Sequence, residues 1–528
     1  ADLLSTSVSG LLAFQQALDV TSNNIANAST PGYSVENANL TEAFGQRTGS
    51  GYVGSGVDVQ SITRTYSEFL AQQVRSTQAS YSSSNTLAAQ AGQIDDMLSD
   101  SSTGLTATLQ SFINSLQTVA TTPTSTATRQ ALLSQAQALA QQLTSYDSQL
   151  SQYGSQLESQ LSGDVSQVNT ITANIAALNR QIATGSSSGQ TPNQLMDQRD
   201  QLITQLSQYV SVQTVTESNG AMDVYVGSGQ ALVTGATATK LSTVAGAYDS
   251  SQLDIAISGG GGTTADITSE ISGGELGGLL SARSQVLDPA RNAIGQVSVA
   301  VATLVNQQQQ SGMDLTGAQG QPMFSVGGVQ VLPDSGNTGS ASLTVTRGAL
   351  SSLTTDDYKL QYSGGAWQLT DATTGQPVTM SGSGTSASPF VAPGISIVVG
   401  SGTPASGDSY LIQPTAAATA GFAVALTSPA QIAAASLVEG TAGSANKGGA
   451  TVSGASVTDP SAWVSDTYTV TFGAGNSYTV KNGAGTQVAS GTYTSGTPIS
   501  FEGAQLSLSG SPAAGDIFPV GPNSPANT

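Results

Sequence analysis

From Leu132 to Ile182 the apolar residues recur at steps of three and four: Leu132, Ala136, Leu139, Leu143, Tyr146, Leu150, Tyr153, Leu157, Leu161, Val165, Val168, Ile171, Ile175, Leu178 and Ile182. A helix turns once in about 3.6 residues, so this spacing draws one continuous stripe along one face. The stripe predicts a helix roughly 75 Å long, with a local phase shift near Leu161. Gly154 and Gly163 weaken it by about 1 kcal/mol each relative to Ala, without ending it. Its other face is Gln, Ser and Thr. The helical pattern begins near Tyr66 and runs to about Ala183, so residues 66–120 are expected to fold back along it as a long antiparallel bundle.

A second, narrower seam lies at the start of the chain. In residues 3–27, Leu4, Val8, Leu11, Leu18 and Ile25 fall on one line, and polar Gln15 and Ser22 fill the two remaining positions. The helix they predict is roughly 35 Å long. Thr30-Pro31-Gly32-Tyr33 ends it, because Pro fixes φ and lacks a donor while Gly accepts positive φ. Periodicity alone leaves two readings of equal weight. One is a surface helix on its own domain; the other, suited to a seam holding Gln and Ser, is pairing with another long helix.

The rest alternates between patterns. Residues 34–65 suggest an extended or hairpin connector. Thr191, Pro192 and Gln194 resemble a capping box opening a short helix, and Arg199 between Asp197 and Asp200 suggests a local ion pair. Residues 211–270 alternate like strands, with 259–262 a glycine loop. Helix returns at Asp288-Pro289, with Ile294, Val297, Val301 and Leu304 as its expected core stripe. Beyond residue 325 the chain repeats itself: 357–362 (Asp-Tyr-Lys-Leu-Gln-Tyr) resembles 467–472 (Thr-Tyr-Thr-Val-Thr-Phe), and 401–410 resembles 509–518. The offset holds near 108–111, which implies two copies of one small β domain, roughly 326–415 and 445–523.

The fold class expected is therefore multidomain α+β: an N-terminal coiled-coil helix, a long antiparallel helical bundle with a small β portion, then two tandem small all-β domains. The divisions are a helix at 1–33, a connector at 34–65 and a middle domain at 66–325 with its β part near 211–270. A first β domain at 326–425, a linker at 426–444 and a second β domain at 445–528 follow.

Composition removes whole classes of chemistry. Only 38% of the chain is hydrophobic and 5% aromatic, while Gly supplies 60 residues. The charge of −20, from 13 basic and 33 acidic residues, repels phosphate backbones and anionic lipid, so neither nucleic acid nor membrane is an expected partner. No run of apolar residues is long enough to span a bilayer. With no His, the Ser–His and Cys–His nucleophiles and the commonest general base are missing; with no Cys, disulfides are too. Asp95 and Asp96 diverge around a helix and suit a solvated face. Asp314-Leu315-Thr316-Gly317 has too few acids for a calcium loop, and Gly440 to Lys447 lacks P-loop spacing. No catalytic, cofactor-binding or metal residues are expected. Residues 1–30 also lack the pattern of a cleaved signal peptide, so export would use another route.

The stretch from Leu11 to Ser34, with its Asn23-Asn24-Ile25-Ala26-Asn27 helix end and Thr30-Pro31-Gly32-Tyr33 turn, resembles the N-terminal signature of the flagellar rod, hook and hook-associated axial proteins. Leu-Met-Asp-Gln-Arg-Asp-Gln-Leu at 195–202, Gly-Gly-Glu-Leu-Gly-Gly-Leu-Leu at 273–280, and Asp314-Leu315-Thr316-Gly317 leading to Pro322-Met323-Phe324 are similar to members at the hook–filament junction. That resemblance, good over 1–325, implies a non-enzymatic adaptor made of other copies of itself in a ring, with hook protein below and hook-associated protein 3 above. It implies type III export without a cleaved signal, an extracellular location, and a cytoplasmic chaperone at the C-terminal end. It implies an assembly interface of Leu4, Val8, Leu11, Leu18, Asn24, Ile25, Asn27, Gly32 and Tyr33. It also implies a second terminal helix; residues 500–528 are strand-like and then Pro/Gly/Asn-rich, so the chain is expected to stop before it. A secreted adhesin with a coiled-coil stalk and β heads is the alternative that composition and architecture fit equally.

Overall fold

In a computed structural model the described residues are 3–49, 51–99, 104–187, 191–259 and 263–523. The chain opens with helix α1 (Leu3–Ala26) and a ribbon of four strands: β1 (Glu36–Glu42), β2 (Gln46–Thr48), β3 (Gly51–Val53) and β4 (Val57–Arg64). Helices α2 (Glu68–Leu98), α3 (Leu105–Thr121), α4 (Thr126–Ser187) and α5 (Asn193–Tyr209) follow. The long apolar stripe lies on α4, one helix of 62 residues, or about 90 Å. Gly154 and Gly163 lie inside it without a break. Leu132, Leu139, Leu143, Leu150, Leu161, Val168, Ile175 and Ile182 are fully buried.

The chain divides into two compact units, Ala1–Ile94 with Gln152–Leu287 and Asp95–Ser151 with Asp288–Thr528. The middle domain expected at 66–325 is thus shared between units. The cause is that α4's stripe is covered by different partners along its length. In its first part Arg129 donates to the Pro123 carbonyl (2.6 Å) and to that of Ile432. In its later part Tyr153 donates to Gln90 Oε1 on α2 (2.5 Å), Asn169 meets Leu241 and Asn179 meets Met222.

The first unit holds the expected strands: a four-stranded sheet from Val212–Thr216 to Thr237–Ala238, and a three-stranded one of Leu241–Ala245, Leu253–Ser258 and Thr264–Asp266. Of the glycine loop expected at 259–262, residues 260–262 lie outside the described residues. Helix α6 (Gly274–Ala282) starts at Gly274 with φ +63°, where a Cβ would sit 2.2 Å from the Tyr209 carbonyl carbon. Two expectations fail locally. No side chain caps α5: its N-cap is Pro192, and the Asn193 N–H bonds the Thr191 carbonyl (2.9 Å) in place of a capping box. On α7 (Asp288–Gln310) Leu304 is exposed. Ile294 of the expected stripe is buried, beside Asn292, Gly295, Ser298, Val299 and Ala302; the backbone at Thr415 comes so close that a Cβ on Gly295 would lie 1.9 Å from its carbonyl oxygen.

In the second unit two β modules repeat one topology. The first has a five-stranded sheet ordered Gln330–Pro333, Ser409–Gln413, Tyr358–Ser363, Ala366–Asp371, Pro377–Val378, and a three-stranded sheet Leu343–Arg347, Ile395–Val399, Phe390–Ala392. The second repeats both in the same order, beginning with Val438–Gly440 and Thr451–Val457. Val438–Gly440 therefore pairs inside a sheet, although 426–444 was expected as linker. The repeat extends to side chains. Asp408 accepts from the N–H groups of Ala405, Thr338 and Gly339 (2.8, 3.0 and 3.1 Å). Asp516 accepts from Ala513, Lys447 and Gly448 (2.8, 2.7 and 3.1 Å). These backbone donors hold both carboxyls below their ordinary range.

Candidate assembly interface

α1 packs on the β1–β4 hairpin, whose strands run antiparallel from Glu36↔Arg64 to Glu42↔Val57 with a bulge at Asn39/Leu40. Its inner face is Thr6, Ser9, Ala13, Ala17, Val20, Asn24 and Asn27, a line of small and polar residues. Ala13 is 3% exposed and Val20 8%. Small side chains let the helix lie close to the strands, and they leave the residues of the seam pointing away. Leu4, Val8, Leu11, Leu18 and Ile25 are all exposed, Leu11 at 68% and Ile25 at 73%, and Leu12 and Phe14 join them. The expected seam is thus intact as a pattern and unused by the described residues. No helix of the described residues is long and apolar enough to cross a membrane.

The polar residues grouped with the seam do something different. Asn24 Nδ2 donates to the Glu36 carbonyl (2.8 Å), while Asn24 Oδ1 accepts from the Glu36 N–H (2.9 Å) and from the Tyr33 hydroxyl (2.7 Å). Burial, then the Glu36 and Asp197 charges, push the Tyr33 hydroxyl up, so it remains a donor. Asn27 Nδ2 donates to Asn23 Oδ1 (2.9 Å), and Thr30 Oγ1 donates to Asn27 Oδ1 (3.2 Å). Gly32 takes φ +81°, and a Cβ there would come within 3.2 Å of Gln201 Oε1 on α5. Asn24, Asn27, Gly32 and Tyr33 thereby close the end of α1 onto β1, inside the chain.

A charge knot then ties this turn to the helices. The Ser34 N–H donates to Asp197 Oδ2 (2.9 Å), and Arg64 bridges Asp197 (2.9 Å) and Asp200 (2.7 Å). Burial would lower the Arg64 guanidinium, but the two carboxylates outweigh it and hold the cation. Burial and the Asp200 charge push Tyr66, whose ring lies 4.3 Å from the Arg64 guanidinium carbon, up to about 12. Arg75, buried, pairs with Glu68 (2.6 Å). Arg199 reaches Asp200 (3.3 Å) and donates to the Gly220 carbonyl (2.7 Å). The expected local pair at 197–200 is real, but its principal partner, Arg64, is 133 residues from Asp197. Spacing offered no signal for it.

Between the turn and the start of α5 lies a groove of roughly 650 Å³, lined by Asn23, Asn27, Tyr33, Glu36, Asn193 and Gln198 among others. Among the described residues no group of three or more acids could hold a metal ion. Asp314 accepts from the Thr316 N–H and hydroxyl (both 2.7 Å), which makes its motif a turn.

Three family descriptions match the chain. "Flagella basal body rod protein" covers residues 4–33, "Flagellar hook-associated protein FlgK helical domain" covers 91–324, and "Flagellar hook-associated protein 1, D2-like domain" covers 332–414. The chain is 32% identical over 439 residues to flagellar hook-associated protein 1 of Escherichia coli K12, spanning 83% of this chain and 80% of that one. It is 28% identical over 226 residues to the Bacillus subtilis protein of the same name, 41% of this chain and 44% of that one. The solved flagellar hook junction protein FlgK from Burkholderia pseudomallei superposes with a TM-score of 0.76 at 34% identity, over 86% of this chain and 88% of that one.

Proposed function

The chain belongs to the flagellar hook-associated protein 1 family, and from that premise we propose that it builds the hook–filament junction by self-assembly through α1. The observation that carries the reading is the division of labour on α1. Its small residues satisfy the hairpin of its own chain, and its large apolar residues stand exposed along one helical line. A row of Leu, Val and Ile spaced in steps of three and four is what a second helix packs against. Burying one such side chain contributes about 1.5–3 kcal/mol, so the row suffices to drive association. The partners on this reading are other copies in a ring, hook protein on one side and hook-associated protein 3 on the other. Export would run through the flagellar type III route with a cytoplasmic chaperone, placing the protein outside the cell. Its role is structural, and the secreted-adhesin alternative is not favoured by the similarities above.

In full-length protein, Leu11→Asp combined with Leu18→Asp should abolish motility and leave the monomer folded. Cells carrying the variant should make hooks and shed filament protein into the medium, as seen by electron microscopy. Normal filaments on those hooks would contradict the proposal.

A further inference from the structure

The groove at the foot of α1 holds one buried acceptor that lacks a donor and one carboxylate that lacks an ion pair. Asn193 is 6% exposed. Its Nδ2 donates to the Ile62 carbonyl (3.0 Å), which fixes the amide's orientation. Its Oδ1 is left buried without a hydrogen-bond partner, on a residue that lines the groove. Glu36 lines the same groove and makes no ion pair among the described residues. Arg64, which faces Glu36 across the hairpin, is committed to Asp197 and Asp200. The lining contains no basic residue. A group that fills this site should bring donors and positive charge.

The described residues contain a matching group far from the groove. Arg47 is exposed on β2, with no carboxylate partner among the described residues, and Tyr52 lies directly opposite on β3. Phe44 beside it is fully exposed. A chain's own Arg47 lies beyond the far end of β1 from its Glu36, roughly 20 Å at about 3.4 Å per residue.

We infer that the groove receives strand β2 of a second copy, with the Arg47 guanidinium seated against Glu36 and Asn193 Oδ1. Arginine suits it because the guanidinium is a planar fork of donors with no acceptor. The contact joins two different patches, so it is heterologous and propagates from copy to copy into a ring or helix. It rests on the assembly reading above and adds a second contact, continuous with α1 because α1's last turns line the groove.

Two arms test it on the assembled full chain. Single-cysteine variants Gln46→Cys and Gln198→Cys, both at exposed positions, are mixed, assembled and oxidised; the chain has no other thiol. Cross-linked pairs should form in the mixture well above either variant alone. In the second arm, Arg47→Glu and Glu36→Arg should each weaken self-association by about tenfold, and the double charge swap should restore it. Assembly that proceeds without the cross-link, or a swap that fails to rescue, overturns the groove contact and leaves the α1 reading standing. A chain that does not self-associate at all, with α1's seam still accessible, overturns both.

Discussion

α1 and α4 carry the same kind of signal and meet opposite fates. Both place large apolar residues at steps of three and four. On α4 that line is the core, with Leu132, Leu150 and Leu161 at 0% exposure. On α1 the line faces outward, and the chain's own contacts use the opposite, small-residue face. Periodicity therefore specifies a helix and a stripe, while burial depends on whether the chain supplies something to cover it. α4 has α2, α3 and the strands; α1 has a hairpin on its other side.

The comparison breaks most visibly by cutting into α4. Leu161→Ala should cost about 2–5 kcal/mol, since it removes a fully buried side chain and leaves a cavity. A shift in denaturant midpoint at unchanged slope would measure it; a change under about 0.5 kcal/mol would mean that α4's stripe is not the core it looks like.

A smaller effect comes from Asp164, a partly buried carboxyl on α4. Burial, then the Glu275 charge, push Asp164 up to about 7, and its Oδ2 has no hydrogen-bond partner. The folded form thus keeps a proton that the unfolded chain releases near pH 4. This group's contribution to stability is full below about pH 4 and is lost as pH rises through about 7. Asp164→Asn should flatten that part of the stability curve, read from urea midpoints at about pH 5 and about pH 8. An unchanged slope would place the titration elsewhere.

The smallest effect is expected on α1 itself. Leu11→Ala should change monomer stability by under about 0.5 kcal/mol, because the side chain is already in solvent. A loss comparable to that of Leu161→Ala would mean that α1's outer face packs within the isolated chain.

What was legible follows the same division. The helix of α4, the strands at 211–270 and the duplicated β modules were readable because each rests on a repeating pattern within one stretch. The Asp408 and Asp516 clamps sit inside the matched 401–410 and 509–518 segments, although their acceptor role did not show. The short strand Val438–Gly440 was missed, since three residues at a sheet edge carry no period. Leu304 lies exposed because its helix buries Ile294 and Val299 together with the small and polar Gly295, Ser298 and Ala302, a face the stripe through Leu304 does not follow. At the candidate interface, the seam residues and the polar motif residues looked like one set. Only geometry separates Leu11 and Leu18, which face out, from Asn24 and Tyr33, which hydrogen-bond within the chain. Arg64 went unseen, as ion pairs between distant stretches leave no local trace.

The central claim, that α1's outward face is covered by assembly, can be tested by one thiol. In a chain without Cys, Leu11→Cys reports that face alone through its rate of alkylation. The rate should match a free thiol in the isolated chain and fall sharply in assembled hook–junction particles. Equal rates in both states would contradict the account.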